Sequence, residues 1–287
     1  MTACIACGAD AWEPRWEILC RCRSCGFVRA AELPPATTTA EIYTEAYFAG
    51  EEYCDYLADR EVHRQNFAAR WRDMQRLAGK LTSVFEIGCA YGLFLEYATS
   101  QGATATGIDV CREAVEHAAA QLGQRATAGD FLTAPIAAGQ YQAFCLWDTI
   151  EHLPHPEAVI GRVVELLPAG GWLFLTTGDI GSGVARFRGR SWRMIHPPTH
   201  LQYFSRDTMR QFLARHGLEV VEIKSIGVYR TLHSVLAGLS VLGKGWSRSV
   251  AARLHKSIPV RTQQRLGAWV NLGDIMGVAA RKSSPQA

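Results

Sequence analysis

Blocks of apolar residues separated by polar turns run along most of the chain, and their spacing predicts the elements. At residues 84–87 an apolar run holds one acid, Glu86; Gly88 and Gly92 follow, and a helical pattern starts with Leu93, Phe94 and Tyr97. This reads as strand, tight glycine turn, helix, a turn that lets backbone N–H groups approach a ligand closely. A second strand is predicted over 105–108, ending in Asp109, and a third strand tip at 127–130, ending in Asp130 before Phe131. Residues 141–148 and 172–177 read as the fourth and fifth strands. Ser205 is placed to cap a helix running to His216, with Gly217 behind it. Residues 218–226 and 274–280 read as the sixth and seventh strands, the seventh antiparallel beside the sixth. Earlier, Tyr43, Tyr47, Phe48, Tyr53 and Tyr56 precede a helical stripe of His63, Phe67, Trp71 and Met74.

One stretch breaks the alternation. Between Gly227 and Gly273, over about 228–272, there is no Asp or Glu, while Arg230, Lys244, Arg248, Arg253, Lys256, Arg261 and Arg265 are all present. Leu232, Val235, Leu236, Leu239, Val241 and Leu242 recur at near-helical spacing. The stretch predicts a basic helical insertion, either a cap over an acidic substrate or a second subunit, or a surface for an anionic membrane.

Length and charge change this picture little. A chain of 287 residues with a net charge of +3 predicts one large domain and a small appendage, with no demand for a polyanionic partner. No apolar run approaches the ~20 residues needed to span a bilayer, and the first residues do not read as a secretory signal. The expectation is a cytoplasmic protein, peripheral at the inner membrane face only where the insertion serves as a membrane surface and not as a cap or subunit contact. Nine cysteines then suggest thiols or metal ligands. Cys4 and Cys7, then Cys22 and Cys25, form two Cys-x-x-Cys-Gly knuckles 14 residues apart. Two such knuckles suit one tetrahedral zinc ion in a ribbon over residues 1–30, with Cys22 preferred to Cys20 for its closer spacing to Cys25. Pro34, Pro35 and residues 37–39 mark a linker, and 31–80 would supply cofactor-covering helices. The remaining 81–287 would form the main domain.

From residue 84 to 177 the motifs, in order and spacing, resemble a class I S-adenosylmethionine-dependent methyltransferase. That family usually carries a further glycine where this chain has Ala90. The resemblance implies an α/β, Rossmann-like, seven-stranded sheet. It also implies S-adenosylmethionine bound through Glu86, Gly88, Gly92, Asp109, Asp130, Phe131 and Asp148, with Asp109 on the ribose and Asp130 by the adenine. The stretch His200-Leu-Gln-Tyr-Phe-Ser205 is similar to one in bacterial sugar and polysaccharide methyltransferases, some of them zinc-bearing. There the matching histidine implies a general base at His200; Thr199 stands where those enzymes often have a Glu. His196 is a second candidate. Asp148-x-x-Glu151-His152 resembles a cluster of quinone-type O-methyltransferases, where a divalent cation such as magnesium is implicated.

Arginines and aromatics interleave over 186–193 and suit a phosphorylated or otherwise anionic acceptor. These readings imply methyl transfer to a hydroxyl, or to a carbon, of a sugar, glycan or lipid-linked small-molecule acceptor. A quinone-like lipid O-methyltransferase and a non-catalytic cofactor-binding adaptor are the alternatives. The fourth strand is followed by Asp148-Thr-Ile-Glu, not by the Asn/Asp-Pro-Pro-Tyr/Phe signature of amino-group methylation, which argues against a nucleic-acid substrate.

Overall fold

The computed structural model describes residues 3–34, 57, 59–122, 125–242 and 245–283. Residues 37–39, Pro35, Tyr43, Tyr47, Phe48, Tyr53, Cys54, Tyr56 and Lys244 lie outside them, and so do the side chains of Val241 and Leu242.

The chain opens with three short strands, β1 (Trp12–Arg15), β2 (Leu19–Cys22) and β3 (Val28–Ala30). Helix α1 (Arg60–Ala78) leads to β4 (Ser83–Ile87), α2 (Leu93–Ser100), β5 (Thr104–Asp109), α3 (Arg112–Leu122), β6 (Ala126–Ala128) and β7 (Ala143–Trp147). Then come α4 (Pro156–Leu166), β8 (Trp172–Gly178), α5 (Gly183–Arg188), β9 (Gln202–Tyr203), α6 (Arg206–Arg215) and β10 (Leu218–Ser225). The end of the chain holds β11 (Val228–Thr231), α7 (Leu232–Leu242), α8 (Trp246–Ser257), α9 (Val260–Arg265), β12 (Gly267–Val270) and β13 (Ile275–Lys282).

The main sheet has seven strands in the order β10-β13-β8-β7-β4-β5-β6. From β8 to β6 all pairs are parallel, whereas β13 runs antiparallel to both β8 and β10. The last strand therefore lies between the fifth and sixth strands of this sheet as well as beside the sixth. Both faces are covered, which is why its parallel strands read as near-continuous apolar runs. Phe85, Ile87, Phe144 and Leu146 face one core layer with Val159, Val163, Met209 and Phe212 from α4 and α6. Val84, Ala143 and Cys145 face the other, with Phe67, Trp71 and Met74 from α1. The aromatic stripe of α1 is thus core packing. Ser205 caps α6, its Oγ accepting from Thr208 N in a capping box.

The amino-terminal strands do not stand apart. They form a four-stranded sheet with β9, in which β3 pairs antiparallel with Gln202 and Tyr203, just after His200. Ala30 N donates to Leu201 O at 2.8 Å, and Phe27 packs on Phe204 at 5.0 Å between ring centroids. Arg215 of α6 donates to Cys7 O at 3.3 Å. The insertion is helical, as its pattern predicts, but β11 and β12 close its base as a two-stranded antiparallel sheet.

Candidate functional site

The glycine turn after β4 has the geometry its sequence predicts. Gly88 adopts φ 78°, a left-handed value that favours glycine. A Cβ added there would lie 2.7 Å from Thr149. Ala90 is also left-handed at φ 43°, a conformation that favours glycine. Its N–H donates to Asp109 Oδ2 at 2.8 Å, and Cys111 N donates to Oδ1 at 2.9 Å. Asp109 therefore ties the tip of β5 to the glycine turn, and each oxygen keeps a second lone pair for a ligand hydroxyl. Burial pushes its carboxyl above the ordinary value. Glu86 is buried beneath the same turn with Oε2 unpartnered by any protein group, and burial followed by the Asp109 charge raises it strongly. A buried acceptor without a donor beside a close backbone turn fits a ligand that brings hydrogen-bond donors. Asp130 is exposed and accepts from Leu132 N at 2.9 Å. Phe131 is a buried core residue packed against Phe85 and Phe144.

The loops after β7 and β8 meet through Leu201 N, which donates to Glu151 O at 2.8 Å. This contact brings His200 to the single 3-10 turn of Ile150–His152. One oxygen of Glu151 and one ring nitrogen each of His152 and His200 lie within 4.8 Å of one another. His200 Nδ1 lies 2.9 Å from Met194 O, and His152 Nδ1 2.9 Å from Thr199 O. A carbonyl only accepts, so His200 Nδ1 carries the proton and its lone pair is on Nε2, while the His152 ring also lies against the Asp148 backbone. His196 stacks over His200 at 3.8 Å between centroids, its Nδ1 2.6 Å from Thr199 Oγ1. Burial, then the neighbouring imidazoles, holds His200 far below its ordinary value, and burial lowers His152 to about 4. Glu151 moves the other way, to about 8, through burial and then the Asp148 charge. Neither of its oxygens meets a donor at hydrogen-bonding geometry, although the Thr177 hydroxyl is close enough to favour its charge. The cluster is short of positive charge, and a proton or a divalent cation would relieve it.

Asp148 is not among the residues that converge with Glu151 and His152, although the resemblance to quinone-type enzymes puts the three together. Its left-handed φ of 50° breaks the helical turn before it starts. Its carboxylate instead accepts from Arg70 Nη2 at 3.2 Å and Thr176 Oγ1 at 2.8 Å. Arg70 lies over the faces of Phe67 and Trp147, and sequence reasoning missed it. The signal was an arginine on the apolar stripe of α1, where a solvated charge has no reason to be. Beside this bridge a small cleft with room of about 40 Å³, open to solvent, is lined by apolar Met74, Trp147, Phe174 and Ile226 and by charged Arg70, Asp73, Glu222 and Lys224. In the arginine-rich segment, Arg193 is committed to buried Asp274 at 3.0 Å, while Arg186 and Arg188 are exposed.

The amino-terminal thiols converge as their spacing predicts. Cys4, Cys7, Cys22 and Cys25 lie within 4.8 Å of one another, with Cys4–Cys25 at 3.6 Å and Cys7–Cys22 at 3.7 Å. A tetrahedron of metal–sulfur bonds about 2.3 Å long has edges of about 3.8 Å, so the four sulfurs fit one zinc-sized ion. Gly8 and Gly26 both take φ 81°, and each donates its N–H to the carbonyl of the first cysteine in its knuckle. At Cys22 burial is outweighed by the N–H groups of Cys25 and Ser24, which hold the thiol down at about 7. Cys20 stays outside the cluster.

Comparisons with known proteins point the same way. A methyltransferase-domain family model matches residues 55–223, more than half of the chain. A ubiquinone biosynthesis O-methyltransferase of Thiobacillus denitrificans is 30% identical over 115 residues, 38% of this chain and 49% of that protein. One from Burkholderia pseudomallei is 28% identical over 173 residues, 55% of this chain and 73% of that protein. The chain thus spans about half the length of the first of these curated relatives. Among solved structures, an S-adenosylmethionine-dependent methyltransferase from Archaeoglobus fulgidus shares the fold with a TM-score of 0.52. Its identity is 15%, over 79% of this chain and 99% of that one. One from Thermotoga maritima gives 0.51 at 17% identity, over 79% of this chain and 94% of that chain.

Proposed function

The chain belongs to the methyltransferase-domain family, as a class I S-adenosylmethionine-dependent enzyme, and from that premise we propose that it methylates a hydroxyl of an apolar, lipid-linked acceptor. The observation that carries this reading is the convergence of Glu151, His152 and His200, with His200 held in the tautomer whose lone pair is on Nε2. In transfer to a hydroxyl, the acceptor oxygen forms a bond to the methyl carbon, the carbon–sulfur bond breaks, and the hydroxyl proton must leave. His200 receives that proton at Nε2 and passes it to Glu151, whose proton affinity is raised, because burial leaves the imidazole too weak a base to keep it. S-adenosylmethionine supplies the methyl group, and Glu86, Gly88, Ala90, Asp109 and Asp130 are the residues that would hold it. The relatives' printed role in ubiquinone biosynthesis favours an apolar acceptor over a sugar.

A second reading rests on the unpartnered oxygens of Glu151. Glu151, His152 and His200 would hold a divalent cation, which supplies positive charge for a developing oxyanion. The amino-terminal thiols would hold a structural zinc.

The test is an acceptor panel of hydroxylated polyprenyl phenols and nucleotide sugars, followed by methyl transfer from labelled S-adenosylmethionine. Turnover of the phenols alone supports the proposal; turnover of the sugars alone overturns it. Activity lost to chelator and restored by magnesium or manganese alone favours the cation reading, and activity resistant to chelator removes it.

A further inference from the structure

Of the thirteen large hydrophobic residues exposed among the described residues, ten fall in the insertion between β10 and β13. This concentration is the least expected feature of the surface, since exposed apolar groups ordinarily scatter. Helices α7 and α8 form an antiparallel hairpin. His255 meets His233 at one end, and Arg248 Nε donates to Ser240 O at the other. Leu236 and Ala251 are buried within it, and Gln263 locks α9 on by donating to His255 O and Ile258 O. The opposite faces remain bare. On α8, Trp246, Val250 and Leu254 follow at four-residue spacing and so share one stripe; Trp246 is 80% exposed. On α7, Val235 and Leu239 do the same, and Trp269 is half-exposed on β12.

Charge decides what covers this surface. The whole insertion carries no acid. Exposed Arg253 and Lys256 flank the apolar stripe of α8, and exposed Arg261 and Arg265 lie on α9. A self-complementary interface between two copies would bring these cations together without a compensating carboxylate from the same surface. Long cationic stems beside apolar side chains and exposed tryptophans instead match the boundary between lipid headgroups and acyl chains. Among the described residues no helix is long and apolar enough to cross a membrane, so the surface would lie on a bilayer. We propose that the α7–α8 hairpin, with α9 and β12, docks the enzyme on a bilayer containing anionic lipid. This proposal is independent of the acceptor.

The test is flotation of the full-length protein with vesicles of phosphatidylcholine alone, or with about one-third phosphatidylglycerol. The expected result is binding to the anionic vesicles that falls steeply as salt is raised. Each basic residue removed should weaken partition about fivefold, so Arg253→Gln with Lys256→Gln should lose roughly 25-fold. Trp246→Ser should weaken it as well. All variants should keep their thermal midpoint and S-adenosylmethionine affinity. Absence of wild-type binding, or equal and salt-insensitive binding to both vesicle types, overturns the proposal without bearing on methyl transfer. A wild-type dimer in sedimentation equilibrium that Trp246→Ser converts to monomer would assign the surface to a second copy and also overturn it. The salt and lipid dependence of the unaltered protein decides the matter even if a variant fails to fold.

Discussion

Replacing Gly88 by alanine should destabilise the enzyme by two separable routes. The first is the backbone: at φ 78° an L side chain is strained, at a cost of about 1–2 kcal/mol. The second is a clash. The new Cβ would lie 2.7 Å from both Thr149 Cγ2 and Oγ1 and 3.3 Å from Thr149 Cβ. Thr149 is not free to swing, since its hydroxyl donates to Trp147 O at 3.1 Å and it begins the turn carrying Glu151 and His152. Overpacking of this kind costs about 1–3 kcal/mol, for a total of about 2–5 kcal/mol. Thr149→Ala alone should cost only about 1 kcal/mol, for its lost hydrogen bond. The double variant removes the two 2.7 Å contacts but keeps the 3.3 Å approach of the Thr149 Cβ position and the backbone strain, so the pair should show a favourable coupling of about 1–2 kcal/mol. Urea denaturation of the four proteins measures it, provided the slope with denaturant is unchanged. A coupling below about 0.5 kcal/mol, the ordinary error of additivity, would refute the contact between the glycine turn and Thr149.

His200→Ala should lower turnover by about 10²–10⁴ while S-adenosylmethionine affinity by calorimetry stays nearly unchanged; near-normal turnover would remove it as the base. Asp109→Ala should weaken that affinity by more than about tenfold, because it loosens the Ala90 and Cys111 N–H groups as well as any ligand bond. Elemental analysis should find about one zinc per chain, unchanged in Cys20→Ser and reduced in Cys22→Ser. Because β3 pairs with the strand after His200, zinc loss should also lower activity. His63, lowered to about 4 by burial and then by Arg70, binds its proton more readily in the unfolded chain. Its contribution to stability is therefore full above pH 6.5 and declines toward pH 4. Discounted for its partial exposure, the decline is about 1–2 kcal/mol at pH 5, and His63→Gln should remove that share of the acid sensitivity in denaturation curves.

The sequence by itself determined what local chemistry dictates. Apolar runs ending in Glu86 and Asp109, with glycines between, specify strands and a close turn, because period and backbone freedom are local properties. Cys-x-x-Cys-Gly likewise fixes each knuckle within a few residues, and the structure brings the chosen four thiols together. The capped helix after Ser205 was legible for the same reason. Only the tertiary structure decided which distant groups meet. The left-handed φ of Asp148 turned it away from Glu151 and toward Arg70, a residue 78 positions earlier. His200 reached Glu151 through hydrogen bonds between two loops distant in the chain, and the amino-terminal strands joined β9 through pairing that no local pattern encodes. The helical stripe of the insertion was visible in the chain, but which of its apolar faces stays bare depends on how α7, α8 and α9 pack. Periodicity sets which residues share a face; long-range packing sets what that face meets.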